Sequence, residues 1–225
     1  MRNLNTVYFD SYYRSLESRG WRAQILCSAI IAEIQPLTII DVGCGHGELI
    51  KYIEKEFKFD VWGLEATPRA VANVNFDKRK VMLWDLRVAI PRVIKRDLAI
   101  CFNVAEHIDV GCEEIFISNL VKMGKMVLFA AVEEFGGDSD KIVNLRPHDF
   151  WRELFLKQGM IERKEIAEKI RDNVGNWRRK PVMKMVVDNL ICMEEGNDRY
   201  LHDGSNPTGD TGKDTAVVPK EPISG

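Results

Sequence analysis

Short apolar segments alternate with segments of helical periodicity through most of the chain. Residues 37–42 (LTIIDV) are rich in β-branched side chains and end in a glycine cluster, which predicts a buried strand that runs into a turn. Four later segments share this apolar character and predict further strands, at residues 61–64, 81–84, 98–102 and 126–131. Because these segments are apolar on both faces, they predict a mostly parallel sheet that helices cover on both sides.

The segments between the strands place apolar residues three and four positions apart, which is typical of amphipathic helices. They predict a short helix from Pro68 and longer helices at residues 21–35, 48–57, 113–122 and 147–158. Gly159 follows the last of these and is expected to end it. Beyond it, residues 160–166 and 182–193 predict two strands joined by a polar, basic connection, forming a hairpin at one edge of the sheet.

The composition changes after Gly196. Residues 197–225 contain three prolines and four glycines but only four Leu, Ile or Val side chains. Such a segment buries too little apolar surface to offset the entropy lost on ordering, so we predict a disordered tail at 197–225. The remainder is predicted to be one α/β domain at 37–196, preceded by a helical flank or lid at 1–36.

Charge and cysteine usage narrow the class of protein. The 225 residues include 32 Lys and Arg against 34 Asp and Glu, a formal net charge of −2 that disfavours a dedicated nucleic-acid binder. Two basic runs, at 78–80 and 178–180, are interpreted as solvated surface, with a local nucleic-acid patch as the alternative. No apolar stretch approaches the roughly 20 residues of a membrane span. Five widely spaced cysteines without CxxC or zinc-like spacing predict a reduced, cytoplasmic protein with no metal site.

The most informative motif is DVGCGHGE at residues 41–48, where the first strand turns into the first helix. Glycines at such a turn allow a ligand to approach the main chain closely. A dinucleotide fingerprint would need a third glycine at the position of Glu48, whose carboxylate would repel a diphosphate at the helix N-terminus. A nicotinamide-dependent oxidoreductase is therefore disfavoured.

The motif resembles that of the class I S-adenosylmethionine-dependent methyltransferases, which have an acid followed by GxGxG. The resemblance implies that Asp41 lies near the methionine ammonium of the cofactor. It also implies that the backbone of Gly43, Cys44, Gly45 and Gly47 approaches the cofactor. A cationic sulfonium ligand, unlike a phosphate, is compatible with the acids of this segment.

Three later segments follow in the order that the family predicts. Glu65, at the end of the second strand and beside Ala66, matches the acid that accepts hydrogen bonds from both ribose hydroxyls. Asp85 matches the residue that meets the adenine amino group, with the backbone around Leu86 completing adenine recognition. Residues 102–108 (FNVAEHI) resemble the family segment xVxEHI beside the reactive methyl group, which adds Asn103 to the predicted cofactor site.

Glu106 and His107 within that segment are the predicted catalytic residues. Histidine side chains ordinarily change protonation near neutral pH, which suits a general base that removes a proton from the acceptor. Glu106 would fix the tautomer of the imidazole. The alternative is that His107 only orients the loop.

Three residues are weaker candidates for contact with the acceptor. Residues 143–151 resemble the start of the family's helix after the fifth strand, so Arg146 and His148 are candidates, with capping or solvent exposure as the alternative. Tyr13, together with Tyr12 and Trp21, is a candidate lid, with core packing as the alternative.

The resemblance covers residues 8 to 194 and implies a fold as well as an activity. The fold is a Rossmann-like, doubly wound α/β sheet of seven mostly parallel strands with an antiparallel C-terminal hairpin strand. The activity is transfer of a methyl group from S-adenosylmethionine, leaving S-adenosylhomocysteine, to a small or medium-sized acceptor through O, N or C. The alternative is a catalytically inactive S-adenosylmethionine-binding module that acts as a partner or regulator. The acceptor and the oligomeric state stay open.

Overall fold

The computed structural model describes residues 20–134 and 141–196, and within them the strands form one sheet of seven. The strands are β1 (Thr38–Val42), β2 (Asp60–Glu65), β3 (Val81–Leu83), β4 (Arg96–Phe102), β5 (Gly124–Ala130), β6 (Met160–Glu162) and β7 (Leu190–Glu195). Their order across the sheet is β3-β2-β1-β4-β5-β7-β6. The first five strands run parallel, and β7 pairs antiparallel with both β5 and β6. This confirms the predicted fold class.

The strand order reverses on either side of β1, so a topological switch point lies between β1 and β4. From β1 the chain moves outward to β2 and β3, then returns to β4 on the other side of β1. In open parallel sheets the connections at such a switch point diverge and leave a crevice at the carboxyl ends of the strands. Asp41 lies near that end of β1, in register with Gly63 and Ile100.

Helices cover both faces of the sheet. They are α1 (Gly20–Ile34), α2 (Glu48–Glu56), α3 (Pro68–Ala72), α4 (Glu113–Met123), α5 (His148–Lys157), α6 (Lys164–Val174) and α7 (Pro181–Val187). In the described part of the chain there are also short 3₁₀ turns, at Lys78–Lys80, Ala105–His107 and Gly175–Arg179. Gly159 takes φ +79° just after α5, which is the left-handed conformation expected of a residue that ends a helix.

Two apolar layers hold these helices to the sheet. One face packs against α1, α2, α6 and α7, and the opposite face packs against α4 and α5. Aromatic side chains fill the second layer, where Phe129 on β5 lies 5.6 Å from Trp151 and 5.4 Å from Phe155 between ring centroids. Trp151 and Phe155 are fully buried, so the apolar stripe predicted for α5 faces the sheet.

The prediction for residues 160–193 is wrong in part. The hairpin partners β6 and β7 exist, but the predicted strands 160–166 and 182–193 are too long, and the connection between them is helical. Pro181 opens α7 at a position where its missing N–H is harmless, and α7 buries Met183, Val186 and Val187 in the core. A short apolar run fits a helix or a strand equally well, so its tertiary packing decides which of the two it forms.

The terminal predictions fall largely beyond the described residues. The predicted tail at 197–225 and the lid candidates Tyr12 and Tyr13 lie outside them. Of the predicted flank at 1–36, α1 is described and contributes to the same apolar layer as α2 and α6. Among the residues that are described, none of the helices is long and apolar enough to cross a membrane.

Candidate functional site

The turn between β1 and α2 depends on glycine. Gly43, Gly45 and Gly47 have φ values of +78°, +56° and +89°, a region that residues with a Cβ rarely adopt. A Cβ at Gly43 would also overlap Val104, and a Cβ at Gly47 would overlap the ring of Phe76. The glycine turn (Gly43–Gly47) therefore lies close to its neighbours on two sides.

A cavity of about 250 Å³ opens at the carboxyl ends of β1, β2 and β4. Most of the predicted cofactor residues line it: Asp41, Gly43, Cys44, Gly45, Glu65, Ala66, Asp85, Leu86 and Asn103. His107 also lines it, whereas Gly47 and Glu106 are not among its lining residues. We call the part formed by Asp41, Glu65 and the glycine turn the strand end of the cavity, and the part formed by 85–87 the loop end.

Glu65 is held in one orientation by backbone donors. One carboxylate oxygen accepts a hydrogen bond from Gly45 N at 3.0 Å. The other accepts from the N–H groups of Ala66 and Thr67, each at 2.9 Å, and from the Thr67 hydroxyl. Glu65 thereby joins the end of β2 to the glycine turn after β1.

Asp41 is buried beside this carboxylate, with an exposed fraction of 5%. Burial, and secondarily the charge of Glu65, raises its pKa to about 7. Within the described ranges no Lys or Arg forms an ion pair with Asp41 or Glu65. Burial and the same two acids also raise the pKa of Cys44, so its thiol stays protonated and is a poor nucleophile.

Asp85, at the loop end, is already engaged by an arginine. Its carboxylate binds Arg87 through Nε at 2.9 Å and Nη2 at 2.7 Å, and Arg87 Nη1 reaches Asp109 at 2.7 Å. Arg87 is 4% exposed and lines the cavity itself. Asp85 therefore lines the cavity as the partner of a buried arginine, and its role toward adenine stays a prediction.

Asn103 follows β4 in a left-handed conformation, with φ +56°. Its backbone N–H donates to Ala130 O at 2.8 Å, which fixes the residue at the carboxyl edge of the sheet. Its side-chain Oδ1 is buried in the cavity wall without a hydrogen-bond partner among the described residues. Such an acceptor is satisfied when a ligand brings a donor.

The structure separates the two predicted catalytic residues. His107 Nδ1 lies 3.0 Å from Lys141 O, so that carbonyl, not Glu106, orients the imidazole. Glu106 is 2% exposed, and burial raises its pKa to about 8 although the N–H groups of Glu106 and Val132 lower it. The prediction that Glu106 fixes the tautomer is therefore not matched by the hydrogen bonds that the structure contains.

Arg146 and His148 are placed away from the cavity. Arg146 donates to Asn144 at 3.0 Å and to Glu113 at 3.2 Å, and its guanidinium lies 5.0 Å from the ring centre of Phe150. His148 Nδ1 lies 3.2 Å from a carboxylate oxygen of Glu133. Neither lines the cavity, so the structure does not bring them to the predicted cofactor residues.

Several wall residues were not predicted from the sequence. Arg22, Ala23 and Leu26 reach the cavity from α1, and Val186 reaches it from α7. His46, in the glycine turn, is 7% exposed and also lines the cavity. Trp21, the lid candidate, instead packs on the core and lies 5.2 Å from Trp177 between ring centroids. No local motif marks these positions. The apolar stripe of α1 could have indicated that one face of this helix packs against the sheet.

Comparison with known families decides the class of protein. A model described as a methyltransferase domain matches residues 14–141, more than half of the chain. The chain belongs to this methyltransferase family. The resemblance predicted from the acid, the glycine turn and the later segments is thereby confirmed. A comparison with curated protein sequences gives no match.

Solved structures share the fold of this methyltransferase at low sequence identity. The complex between the Haloferax volcanii Trm112 methyltransferase activator and the putative methyltransferase has a TM-score of 0.58 at 13% identity, covering 84% of this chain and 95% of that chain. The plantazolicin methyltransferase BpumL in complex with SAH has a TM-score of 0.54 at 15% identity, covering 83% and 88%. The [4+2]-cyclase SpnF has a TM-score of 0.52 at 9% identity, covering 76% and 80%. One fold thus accompanies different reactions.

The described parts of this methyltransferase contain no metal centre that its own side chains form. No group of three or more His, Cys, Asp or Glu side chains within 20–134 and 141–196 is arranged to hold a metal ion. All five cysteines lie in these ranges and are free thiols.

Proposed function

We propose that this methyltransferase binds S-adenosylmethionine in the cavity and transfers its methyl group to a small-molecule acceptor. The observation that carries the proposal is the pair of buried acids, Asp41 and Glu65, beside the glycine turn in one wall. The family match and a structural neighbour solved with SAH support the same ligand.

The charge of the strand end fits a cationic ligand. Asp41 and Glu65 are buried close enough for the charge of one to raise the pKa of the other. An ammonium or sulfonium group beside them would supply the missing positive charge. A diphosphate would add negative charge there, and Glu48, which begins α2 and lines the cavity, would repel it further.

The resemblance distributes the rest of the cofactor along the wall. The resemblance gives Glu65 both ribose hydroxyls, but one of its oxygens already accepts three donors. Glu65 would therefore accept one ribose hydroxyl through the other oxygen, which among the described residues binds only Gly45 N. Asp85 would accept the adenine amino group. Arg22 on α1 is a cation in the same wall and suits the cofactor carboxylate. Asn103 Oδ1 would gain the donor that it lacks among the described residues.

The bound cofactor supplies an electrophilic methyl group on a positively charged sulfur. The protein's part is to hold the acceptor in line, keep water out and remove a proton. Leu26, Phe102 and Val186 give the wall apolar surface that excludes water. Correct alignment alone can contribute about 7 to 11 kcal/mol to catalysis.

His107 is the proposed base. Lys141 O is an acceptor, so Nδ1 carries the proton in the bond between them and Nε2 holds the lone pair of the neutral imidazole. That lone pair suits removal of a proton from an O–H or N–H acceptor. The carbonyl also stabilises the imidazolium that results.

Isothermal titration tests the ligand. We expect S-adenosylmethionine and S-adenosylhomocysteine to bind and NADH not to bind. Tighter binding of NADH would favour an oxidoreductase, and no binding of either sulfur ligand would contradict the proposal.

Transfer of label from methyl-tritiated S-adenosylmethionine into fractionated metabolites tests the reaction. We expect His107→Gln to lower the transfer rate by about 10² to 10⁴ while the affinity for S-adenosylhomocysteine stays unchanged. Binding without transfer to any fraction would favour the inactive binding module instead.

A further inference from the structure

The loop end of the cavity lies in a segment without helix or strand, residues 84–95. Such a segment has no backbone ladder, so its shape depends on the side chains that bind it. Asn119 on α4, fully buried, accepts from Ile90 N at 2.8 Å and donates to Leu86 O at 3.0 Å and Val88 O at 2.9 Å. Asn119 thus anchors the segment to the helix layer beneath it.

Arg87 forms the second anchor and links two segments. Its contacts with Asp85 lie within the segment after β3, and its contact with Asp109 reaches the segment after β4. Ile108, next to Asp109, lines the cavity. A single buried guanidinium therefore holds together two walls of the loop end.

Arg87 occupies most of the acceptor sites of Asp85 through its guanidinium and its backbone N–H. Oδ1 accepts from Arg87 N at 3.0 Å and Nε at 2.9 Å, whereas Oδ2 accepts from Nη2 at 2.7 Å and more weakly from Nε at 3.1 Å. A carboxylate oxygen offers about two acceptor sites. Oδ2 is therefore the oxygen with room for one further donor.

We infer that Arg87 is a positioning residue that leaves Asp85 one acceptor site and thereby makes the cavity select a purine base with an exocyclic amino group. The inference rests on the proposed function and adds a selectivity residue to it. An amino group fills the remaining site on Oδ2, whereas a 6-oxo group brings a second acceptor against a carboxylate and leaves both unpaired.

The ionisation of Asp85 agrees with this role. Burial raises the pKa of Asp85, but the hydrogen bonds and charge of Arg87 outweigh it, so the net shift is downward. The carboxylate thus stays an acceptor. Without Arg87, the burial effect and the nearby charge of Asp109 would favour the protonated acid, which could donate to a 6-oxo group.

The test compares S-adenosylhomocysteine with S-inosylhomocysteine, its 6-oxo analogue, by isothermal titration. We expect the wild-type protein to prefer the amino ligand by about a hundredfold or more. In Arg87→Met we expect the preference to fall below about tenfold, because Asp85 regains its freedom to rotate and to protonate. Arg87→Lys keeps the positive charge, but an ammonium group cannot bind both oxygens of Asp85 and also Asp109. It should therefore show the same loss of ligand preference, with less effect on folding.

Arg96→Met is the matched control. Arg96 is 9% exposed, pairs with Asp60 and lies at the start of β4, at the edge of the sheet opposite the cavity. This variant should lose comparable stability and keep the ligand preference. A wild-type preference in both Arg87 variants would overturn the inference and leave the proposed function standing, and Arg87→Lys decides if Arg87→Met does not fold. Failure of the wild-type protein to bind S-adenosylhomocysteine would overturn both.

Discussion

At the strand end of the cavity, Asp41 and Glu65 lie at the ends of adjacent parallel strands, and backbone N–H groups hold Glu65. At the loop end, Asp85 lies in an irregular segment that Arg87 and Asn119 hold through their side chains. The two acids of the strand end form no ion pair with a described Lys or Arg, whereas Asp85 at the loop end pairs with Arg87, which it shares with Asp109. On the proposed function, the strand end therefore binds the cationic part of the cofactor and the loop end binds its neutral base.

The largest effect is expected at the glycine turn. Gly43→Ala places a Cβ against Val104 at a residue with φ +78°, so the turn or Val104, both of which line the cavity, must shift. We expect the affinity for S-adenosylhomocysteine to fall more than about a hundredfold, measured by isothermal titration. Gly111→Ala is the control, since Gly111 also has a positive φ but has no atom within 4 Å of the added Cβ. Equal losses in both variants would show that backbone strain alone is responsible.

Removal of the charge at the strand end should have the next largest effect. Asp41→Asn should lower the affinity for S-adenosylhomocysteine about tenfold to a hundredfold at pH 8, because the ligand ammonium loses its charged partner. If Asp41→Asn loses more affinity than Asp85→Asn, the result would support the contrast between the two ends. Equal losses would contradict it.

The same variant tests a pH dependence. The pKa of Asp41 is raised to about 7, so the unliganded acid is mostly protonated below that pH and must lose its proton to pair with a cation. We expect the affinity to fall as the pH drops from 8 to 6, by about tenfold per pH unit once below the pKa. Asp41→Asn should show a flat profile, and a wild-type profile that is equally flat would contradict the role of Asp41.

A smaller effect is expected from the anchor of the loop end. Asn119→Ala removes three hydrogen bonds, two of them buried, and should lower the free energy of unfolding by about 2 to 3 kcal/mol, measured by urea denaturation. The affinity for S-adenosylhomocysteine should fall only severalfold, because Arg87 still holds Asp85. The control is Asn173→Ala, whose side chain makes one exposed hydrogen bond to Glu33. No loss of affinity in Asn119→Ala would show that Arg87 alone holds the loop end.

The smallest effect on either end is expected from Glu106. Its pKa is raised to about 8 by burial, so the folded state holds a proton that the unfolded chain releases near its ordinary, lower pKa. Stability from this group is therefore fully present below the ordinary pKa of glutamate, falls as the pH rises from there to about 8, and does not change further above that. Glu106→Gln cannot ionise, so its melting temperature should exceed that of the wild type at pH 8.5 and differ less at pH 5. An equal gain in melting temperature at pH 8.5 and pH 5 would contradict the raised pKa of Glu106.

Much of the strand end could be predicted because its signals are local. A β-branched run, an acid and three glycines within eight residues define a strand, a turn and a helix start. The observed helices and strands agree with the predicted ones to within a few residues up to α5. The error came at 182–193, where Pro181 before an apolar run was a helix signal that the predicted strand overrode.

The loop end was less accessible to prediction because its contacts join distant positions. Asp85 was predicted as an adenine residue, but nothing in its neighbourhood marks Arg87 as its buried partner or Asp109, 22 positions later, as the second. Glu106 and His107 are adjacent in sequence, yet one is buried outside the cavity lining and the other lines it.

The amino-acid sequence by itself determined the order of strands and helices up to α5, the positive-φ turn after β1 and the acids at the strand ends, because these depend on neighbouring residues and on the direction of parallel strands. The tertiary structure alone decided which side chains meet across segments. It brought α1 and α7 to the cavity, paired Arg87 with two acids and buried Asp41 against Glu65. Burial and long-range packing set charge and donor geometry there, and neither has a local signature.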